Sequence, residues 1–589
     1  MSADDPDFRR RLAGLVVMLS LLASVIEMPR VRGHSVCLPL LPLAVLVALA
    51  ASLPAQAQSA DEIERREREA RQSRERDLQR QAPEVDLQVS RAADFRQTDL
   101  PDEAICHRLD AIVLEGSQVS RFRFAQRYLE QYTGQCAGAD GVGLIARRVG
   151  DLIIDRGYVT TRIGVPEQNI SSGVLRLQVV PGVLREVVIE GDMPGYWKSA
   201  LPIRGGDLIN LRDIEQGLEQ FKRVPTQDVS IDIAPGDQPG QSDLVIKVQR
   251  RRPVRGVLGI DDSGSRGTGR LQGNASVGWD NPLRFNDILT FGYGHDLVGA
   301  AELRGTRSRN AGYSLPWRHW QFDVGASRYD YHQTVTGHDI QFLTSGISRT
   351  RNVGLQRNLH RGQRHRSNIE LRINTNESRS FVEQEELLNQ RRNTTSIELA
   401  LRQRVQWGDA RLDLRLAQRR GVPWLGGQRD RPGTPLDYPT YQYRINTLDM
   451  SLDLPMQVGP RALFWSSEVR AQHSDDPLYG NEQFAIGSRY SVRGYDGEQP
   501  LVAERGVYWR NTLTLPLGED ISVYTGVDVG RIGGGSARYL PGRSLSGAVI
   551  GLRGGVAGVS WDMFTGRGLQ APRGISRDAV IGIQAAVSF

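Results

Sequence analysis

The chain has 589 residues, of which 39% are apolar and 24% charged, a length that allows about three or four domains. Its 74 Lys and Arg against 68 Asp and Glu leave a formal charge of +6, too small a surplus on so long a chain to suggest a nucleic-acid binder. Apolar residues recur in ordered patterns along most of the chain, which excludes disorder throughout. Beyond about residue 55 no apolar run is long enough for a membrane-spanning helix, while a transmembrane β-barrel, whose strands carry only alternating hydrophobicity, remains allowed.

Two apolar stretches open the chain, Leu12 to Ile26 and Cys37 to Leu53. The second follows Arg30 and Arg32 and ends in Ala55-Gln56-Ala57, the basic, apolar and small-residue order of a secretory signal peptide. Residues 1–57 are therefore expected to be a signal peptide cleaved after Ala57, with translation starting either at Met1 or near Met28. Cys37 leaves with it, and Cys106 and Cys136 are the two cysteines that remain. Two cysteines in an exported chain predict one disulfide, and closing a loop of about 30 residues stabilises a small domain by roughly 3–4 kcal/mol. With only His107 nearby, the pair falls short of a four-ligand metal site.

Residues 58–82 are dense in charge, with Glu62 four before Arg66 and Glu64 four before Arg68, a spacing that supports a helix. With Ile63 and Leu78 isolated, such a helix is either solvated or held in a polar, water-filled cavity. Residues 83–103 read as an extended linker. From 104 to 181 the pattern is strand, helix, helix, strand, strand: Ala111 to Glu115, Phe122 to Tyr132, Val142 to Arg156, Tyr158 to Val165 and Val174 to Val180. The plan repeats over 182–252, with a helix over Leu211 to Phe221 and strands over Leu184 to Glu190, Val229 to Ile233 and Leu244 to Val248.

From 253 to 589 the period becomes two. Ile521, Val523, Thr525, Val527 and Val529 alternate with Ser522, Tyr524, Gly526, Asp528 and Gly530, as lipid outside and water inside would require. The last strand alternates likewise and ends on Phe589, which after a signal peptide favours the outer membrane over a soluble sandwich. Sixteen strands of 9–11 residues fit this span, with fourteen or eighteen also allowed.

The chain resembles the two-partner secretion transporters, the TpsB family of the filamentous-haemagglutinin transporter type. Ile170-Ser171-Ser172-Gly173-Val174-Leu175 through Val180-Pro181-Gly182, with Gly157-Tyr158-Val159-Thr160-Thr161 and the two cysteines, resembles the family's first POTRA domain. Val492-Arg493-Gly494-Tyr495 is similar to the signature of the sixth extracellular loop, and Val527-Asp528-Val529-Gly530 to the inner-wall motif it meets.

The resemblance implies a transmembrane β-barrel of 16 antiparallel strands, two periplasmic α/β POTRA domains and an N-terminal helix that plugs the pore, which displaces the solvated alternative. It also implies that Arg493 meets Asp528. Arg493 then either acts in transport or stabilises the barrel. The expected partners are an unfolded exoprotein of the TpsA type, captured at the POTRA domains, outer-membrane lipid, and the barrel-assembly machinery for the chain's own insertion. A monomer is expected, with no nucleic acid, metal or cofactor. No phosphate-binding loop and no Gly-x-Ser-x-Gly elbow occurs, so no enzyme is expected. An outer-membrane insertase of the barrel-assembly type is the alternative, and a small-solute porin a more distant one.

Overall fold

The computed structural model describes residues 59–81, 85, 87, 94–191, 196–297, 303–336 and 340–589. The expected signal peptide, and the first part of the expected linker apart from Val85 and Leu87, lie outside the described residues.

A 22-residue helix, α1 (Ala60–Gln81), leads the described chain. Two small α/β units follow. In the first, strand Val174–Val180 pairs parallel with Ala111–Glu115 and antiparallel with Arg162–Gly164. Its Leu175, Leu177 and Val179 are buried and alternate with exposed Arg176, Gln178 and Val180. The buried side packs against α2 (Arg123–Leu129) and α3 (Ala139–Asp155), the latter through Val142, Ile145, Val149, Leu152 and Ile153. The strand expected over Tyr158 to Val165 is shorter. The chain first turns, with Thr161 N–H donating to the Tyr158 carbonyl, while the Tyr158 ring packs edge-on against Phe122 at 5.1 Å. An aromatic anchored in the core thus replaces the first half of the alternation. A disulfide joins Cys106 to Cys136 beside the short pairing of His107–Arg108 with Cys136–Ala137.

The second unit repeats the order. Strand Gln241–Arg250 runs parallel to Val183–Gly191 and antiparallel to Gln227–Pro235, covered by α4 (Leu211–Lys222). Asn210 caps α4 by accepting from Arg212 N–H at 2.9 Å, and its side chain also donates to the Arg156 carbonyl at 3.2 Å. One cap thereby ties the units together. The expected linker is not free: Val85 and Leu87 pack on the second core, and Phe95 and Leu100 on the first.

The rest is a closed antiparallel barrel. Its long strands are β1 (Val254–Asp261), β2 (Gln272–Asp280), β3 (Ile288–Asp296), β4 (Arg304–Trp317), β5 (Trp320–Thr336), β6 (Gln341–Arg361), β7 (His365–Val382) and β8 (Arg392–Trp407). They continue as β9 (Ala410–Val422), β10 (Arg444–Val458), β11 (Arg461–His473), β12 (Arg505–Pro516), β13 (Ile521–Gly533), β14 (Ser544–Val556), β15 (Val559–Gln570) and β16 (Val580–Ser588). The ring closes where β16 pairs with β1, from Gln584 opposite Asp261 to Ser588 opposite Val257. Exposure is inverted relative to a soluble domain. Val527, Val529, Ile550, Phe322 and Val324 are exposed, whereas Ser378, Asp413, Ser467 and Asp528 are buried. Apolar residues therefore face outward into a hydrocarbon-like surround, and polar ones line the lumen. Connections on the side of the α/β units are mostly tight turns, and residues 423–443 and 474–504 form long loops at the opposite end.

Candidate functional site

The connection from β11 to β12, the sixth loop at that end, does not leave the barrel. Phe484–Ile486 pairs with Leu501–Ala503 as a hairpin. Phe484, Ile486, Val492, Tyr495, Leu501 and Ala503 then bury themselves with Tyr508, Ile532 and Leu545 of the strands. This small apolar core lies inside a largely polar lumen, so water drives the loop inward.

At its tip, Arg493 meets Asp528 of β13. The Arg493 guanidinium donates from Nε to Oδ2 and from Nη2 to Oδ1, each at 2.7 Å, and the Arg493 backbone N–H donates to Oδ2 at 2.9 Å. Nη2 also donates to the Asn511 carbonyl at 3.1 Å and to Thr512 Oγ1 at 3.0 Å. Arg493 is 7% exposed and Asp528 1%. A planar fork on a carboxylate, both nearly dry, fixes direction as well as distance. Gly494 has φ of +100°, and a Cβ there would lie 2.5 Å from the Arg567 carbonyl oxygen, so two independent reasons require glycine. The single Tyr495 O–H is shared between the carbonyls of Gln570 at 2.7 Å and Ser546 at 2.9 Å, bridging β15 and β14. Val492 packs over Gly530.

Thr512 was not legible as a partner, since nothing local marks it. The space the loop needs does leave a trace. A Cβ on Gly526 would meet Arg493 Nη2 at 2.4 Å, and one on Gly547 would meet the Arg493 carbonyl oxygen at 1.9 Å. Glycines two before and two after Asp528, at 526 and 530, leave the room into which the loop side chains of Arg493, Val492 and Ile486 press.

Helix α1 fills the lumen beside this loop. Near its N-terminus Arg65 donates to the Gly480 carbonyl at 3.3 Å, and Arg66 donates to the carbonyls of Gly264 and Asp496, each at 3.1 Å. Arg68 pairs with Glu482 at 2.8 Å. Farther along, Arg71 donates to Ser327 Oγ at 2.8 Å and Gln72 Oε1 accepts from Arg470 at 2.9 Å. Asp61 pairs with Arg392, and Glu64 accepts from Ser378. The glycine-rich stretch 264–273 lies at this outer end, in the β1–β2 connection and the start of β2. Twenty-two residues span about 33 Å, enough to run from the outer loops toward the α/β units. Glu482 is held between Arg68 of α1 and Arg419 of the wall, the latter at 2.6 Å, so its carboxylate keeps a cation if the helix leaves. Neither Glu482 nor Arg419 was found from the sequence, because each is one charge among many.

At the inner mouth α4 is bolted to the turn between β6 and β7. Arg361 pairs with Glu219 at 2.6 Å and Glu215 at 3.2 Å, Arg366 also binds Glu219, and Asn358 donates to Gln216 at 2.7 Å. Burial works against the charge on Glu219, but Arg366 and then Arg361 outweigh it and hold its carboxyl below the usual glutamate value. Arg361 also donates to the Val85 carbonyl at 2.6 Å. Phe589 closes the barrel seam: it exchanges backbone hydrogen bonds with Gly256 at 2.8 and 3.0 Å, its ring resting on the space a Cβ of Gly256 would occupy. Among the described residues no group of three or more His, Cys, Asp and Glu side chains is placed to hold a metal ion.

Residues 240–554 match the family of haemolysin secretion/activation proteins ShlB/FhaC/HecB. Residues 107–182 match a ShlB-type POTRA domain and 184–235 a POTRA domain. The chain is 38% identical over 538 residues to the outer membrane transporter CdiB-2 of Burkholderia pseudomallei, covering 88% of this chain and 92% of the relative. It is 26% identical over 443 residues to the hemolysin transporter protein ShlB of Serratia marcescens, covering 74% and 77%. The solved structure of CdiB from Escherichia coli superposes with a TM-score of 0.82 at 27% identity, over 91% of this chain and all of the other. That of CdiB from Acinetobacter baumannii gives 0.79 at 27%, with the same coverage. The chain belongs to the ShlB/FhaC/HecB family, and is an outer-membrane two-partner secretion transporter of 16 barrel strands with its POTRA domains in the periplasm.

Proposed function

We propose that the chain captures an unfolded TpsA-type exoprotein at its POTRA units and passes it outward along the lumen that α1 occupies at rest. One observation carries this reading: the grip on α1 is polar nearly throughout. Ile63 is the one apolar side chain buried along residues 60–77, and the other contacts are ion pairs and hydrogen bonds that water can replace. A helix held this way leaves its pore without exposing a large apolar face. Arg493 and Asp528 would hold the sixth loop against the wall through that exchange, and Glu482 would keep Arg419 after Arg68 departs.

Capture has a surface as well. Strands Ala111–Glu115 and Val183–Gly191 lie at sheet edges, and Val113, Val180, Val188 and Ile189 are exposed on the two sheets. An extended segment can add there by main-chain hydrogen bonds, with apolar side chains on these three valines and Ile189. The reading needs no nucleotide and no catalytic residue; folding of the exoprotein outside would make export one-way. Relatives named CdiB, the contact-dependent inhibition variant of two-partner secretion, reach 38% identity against 26% for ShlB, which favours an exoprotein of that kind.

Co-expression with a TpsA-type exoprotein tests the reading. Exoprotein should reach the medium with the intact chain and stay in the periplasm with Arg493→Ala. Retention with both chains, together with unfolded barrels accumulating when this chain is depleted, would favour the insertase.

A further inference from the structure

The second POTRA unit touches the barrel at a place that the secretion reading does not use. Its turn Trp197–Ser199 is fastened to the two inner turns that join β2 to β3 and β4 to β5. Tyr196 N–H donates to the Arg284 carbonyl at 2.8 Å, Arg318 N–H to the Ser199 carbonyl at 2.6 Å, and Ser199 Oγ to the Phe285 carbonyl at 3.0 Å. These bonds turn Tyr196 outward. Its ring lies edge-on to Phe285 at 6.1 Å and stacked on Trp317 at 6.2 Å, yet Tyr196, Leu283, Phe285 and Trp317 remain 45%, 61%, 36% and 40% exposed.

Trp317 shows which side this is. It pairs with Trp320 across the β4–β5 turn, in register with Leu315 opposite Phe322 and Tyr313 opposite Val324, and Phe322 and Val324 lie on the lipid-facing surface. The cluster is thus continuous with the surface that meets hydrocarbon, at its periplasmic rim. Cations frame it: Lys198, over the Trp197 ring at 5.4 Å, Arg284, which is exposed, and Arg357, over Trp320 at 4.9 Å. Lys198 is one of three lysines in the whole chain. The acidic residue of the first turn, Asp287, is buried, its carboxylate accepting from the backbone of Leu283 and Phe285.

We infer that residues 196–198 of the second POTRA unit, with Leu283, Phe285, Arg284 and Trp317, form a membrane anchor that enters the headgroup region of the periplasmic leaflet and binds anionic phospholipid. Aromatic rings with one polar end are suited to that depth, and Lys and Arg beside them reach phosphate while their stems lie along apolar surface. The anchor would fix the second unit relative to the bilayer as well as to the barrel, so that the periplasmic mouth keeps one orientation.

The test uses the full chain in vesicles of phosphatidylethanolamine with 25% phosphatidylglycerol. An environment-sensitive fluorophore is attached to Tyr196→Cys and, as control, to Lys247→Cys on the sheet of the same unit, where Lys247 pairs with Asp232 in solvent. Shallow nitroxide-labelled lipid should quench the probe at 196 at least threefold more than the probe at 247. Omitting phosphatidylglycerol, or adding Lys198→Glu, should lower that quenching about twofold while the heat-resistant barrel remains intact. Equal quenching at 196 and 247 would overturn the anchor. So would a probe at 196 untouched by lipid quencher but shielded on adding exoprotein, which would make the cluster a substrate-docking surface.

Discussion

Arg493 and Asp528 are a bidentate pair with little water around them, and such a pair matters more for what happens when half of it is removed than for its own net stability. Arg493→Ala leaves a carboxylate 1% exposed without its fork. Loss of one partner of a buried pair costs about 3–5 kcal/mol, so the barrel of Arg493→Ala should unfold at clearly lower temperature in heat-modifiability gels. The Arg493→Ala/Asp528→Ala double variant should recover part of that loss, because no unpaired charge remains. A double variant weaker than both singles would show that the two side chains act through separate contacts. The inward direction of Asp528 was legible, because period-two alternation on β13 admits only one answer. Its extra partners were not: the Asn511 carbonyl and Thr512 join Arg493 only through the pairing of β12 with β13, which puts Asn511 opposite Val527 and Thr512 opposite Gly526.

At the scale of elements, α1 was readable as a helix and unreadable as to place. Glu-to-Arg spacing by four stabilises a helix in water or in a wet lumen alike, and the partners that decide, Arg392, Ser378 and Glu482, lie hundreds of residues away. The resemblance to a family supplied what the pattern could not. The strand expected over Tyr158 to Val165 failed for a different reason: Tyr158 is drawn to Phe122 in the core, and a packed ring overrides local strand preference. The junction of α4 with the β6–β7 turn carries a pH prediction. Glu219 titrates below its ordinary 4.5 in the folded chain, so its contribution is complete above that value and is lost as pH falls through the lowered one. Proteolytic release of the POTRA units from the barrel should therefore stay constant at neutral pH and rise only in acid below about pH 4.5. Glu219→Gln should show the raised release already at pH 7. No difference between Glu219→Gln and the parent at pH 7 would place the hold on the second unit elsewhere, for example in Gln216 with Asn358 or Arg223 with Ser314.

For the whole molecule, strand number was the least determined quantity in the sequence, since fourteen, sixteen or eighteen strands divide residues 253–589 almost equally well. Closure decides it: β16 and Phe589 find β1 and Gly256 only after sixteen long strands. The same ring makes a lumen wide enough for a helix and a folded loop together, and both are present. The central claim is that the path of the exoprotein is the space α1 fills. It is tested by fixing α1 in place with a short bis-thiol-reactive linker between Glu64→Cys and Ser378→Cys, whose native side chains are hydrogen-bonded, and measuring exoprotein in medium and periplasm. Single-cysteine variants treated with the same reagent serve as controls. Cross-linked chain should hold the exoprotein in the periplasm while both singles secrete it; undiminished secretion with α1 locked in the lumen would contradict the account.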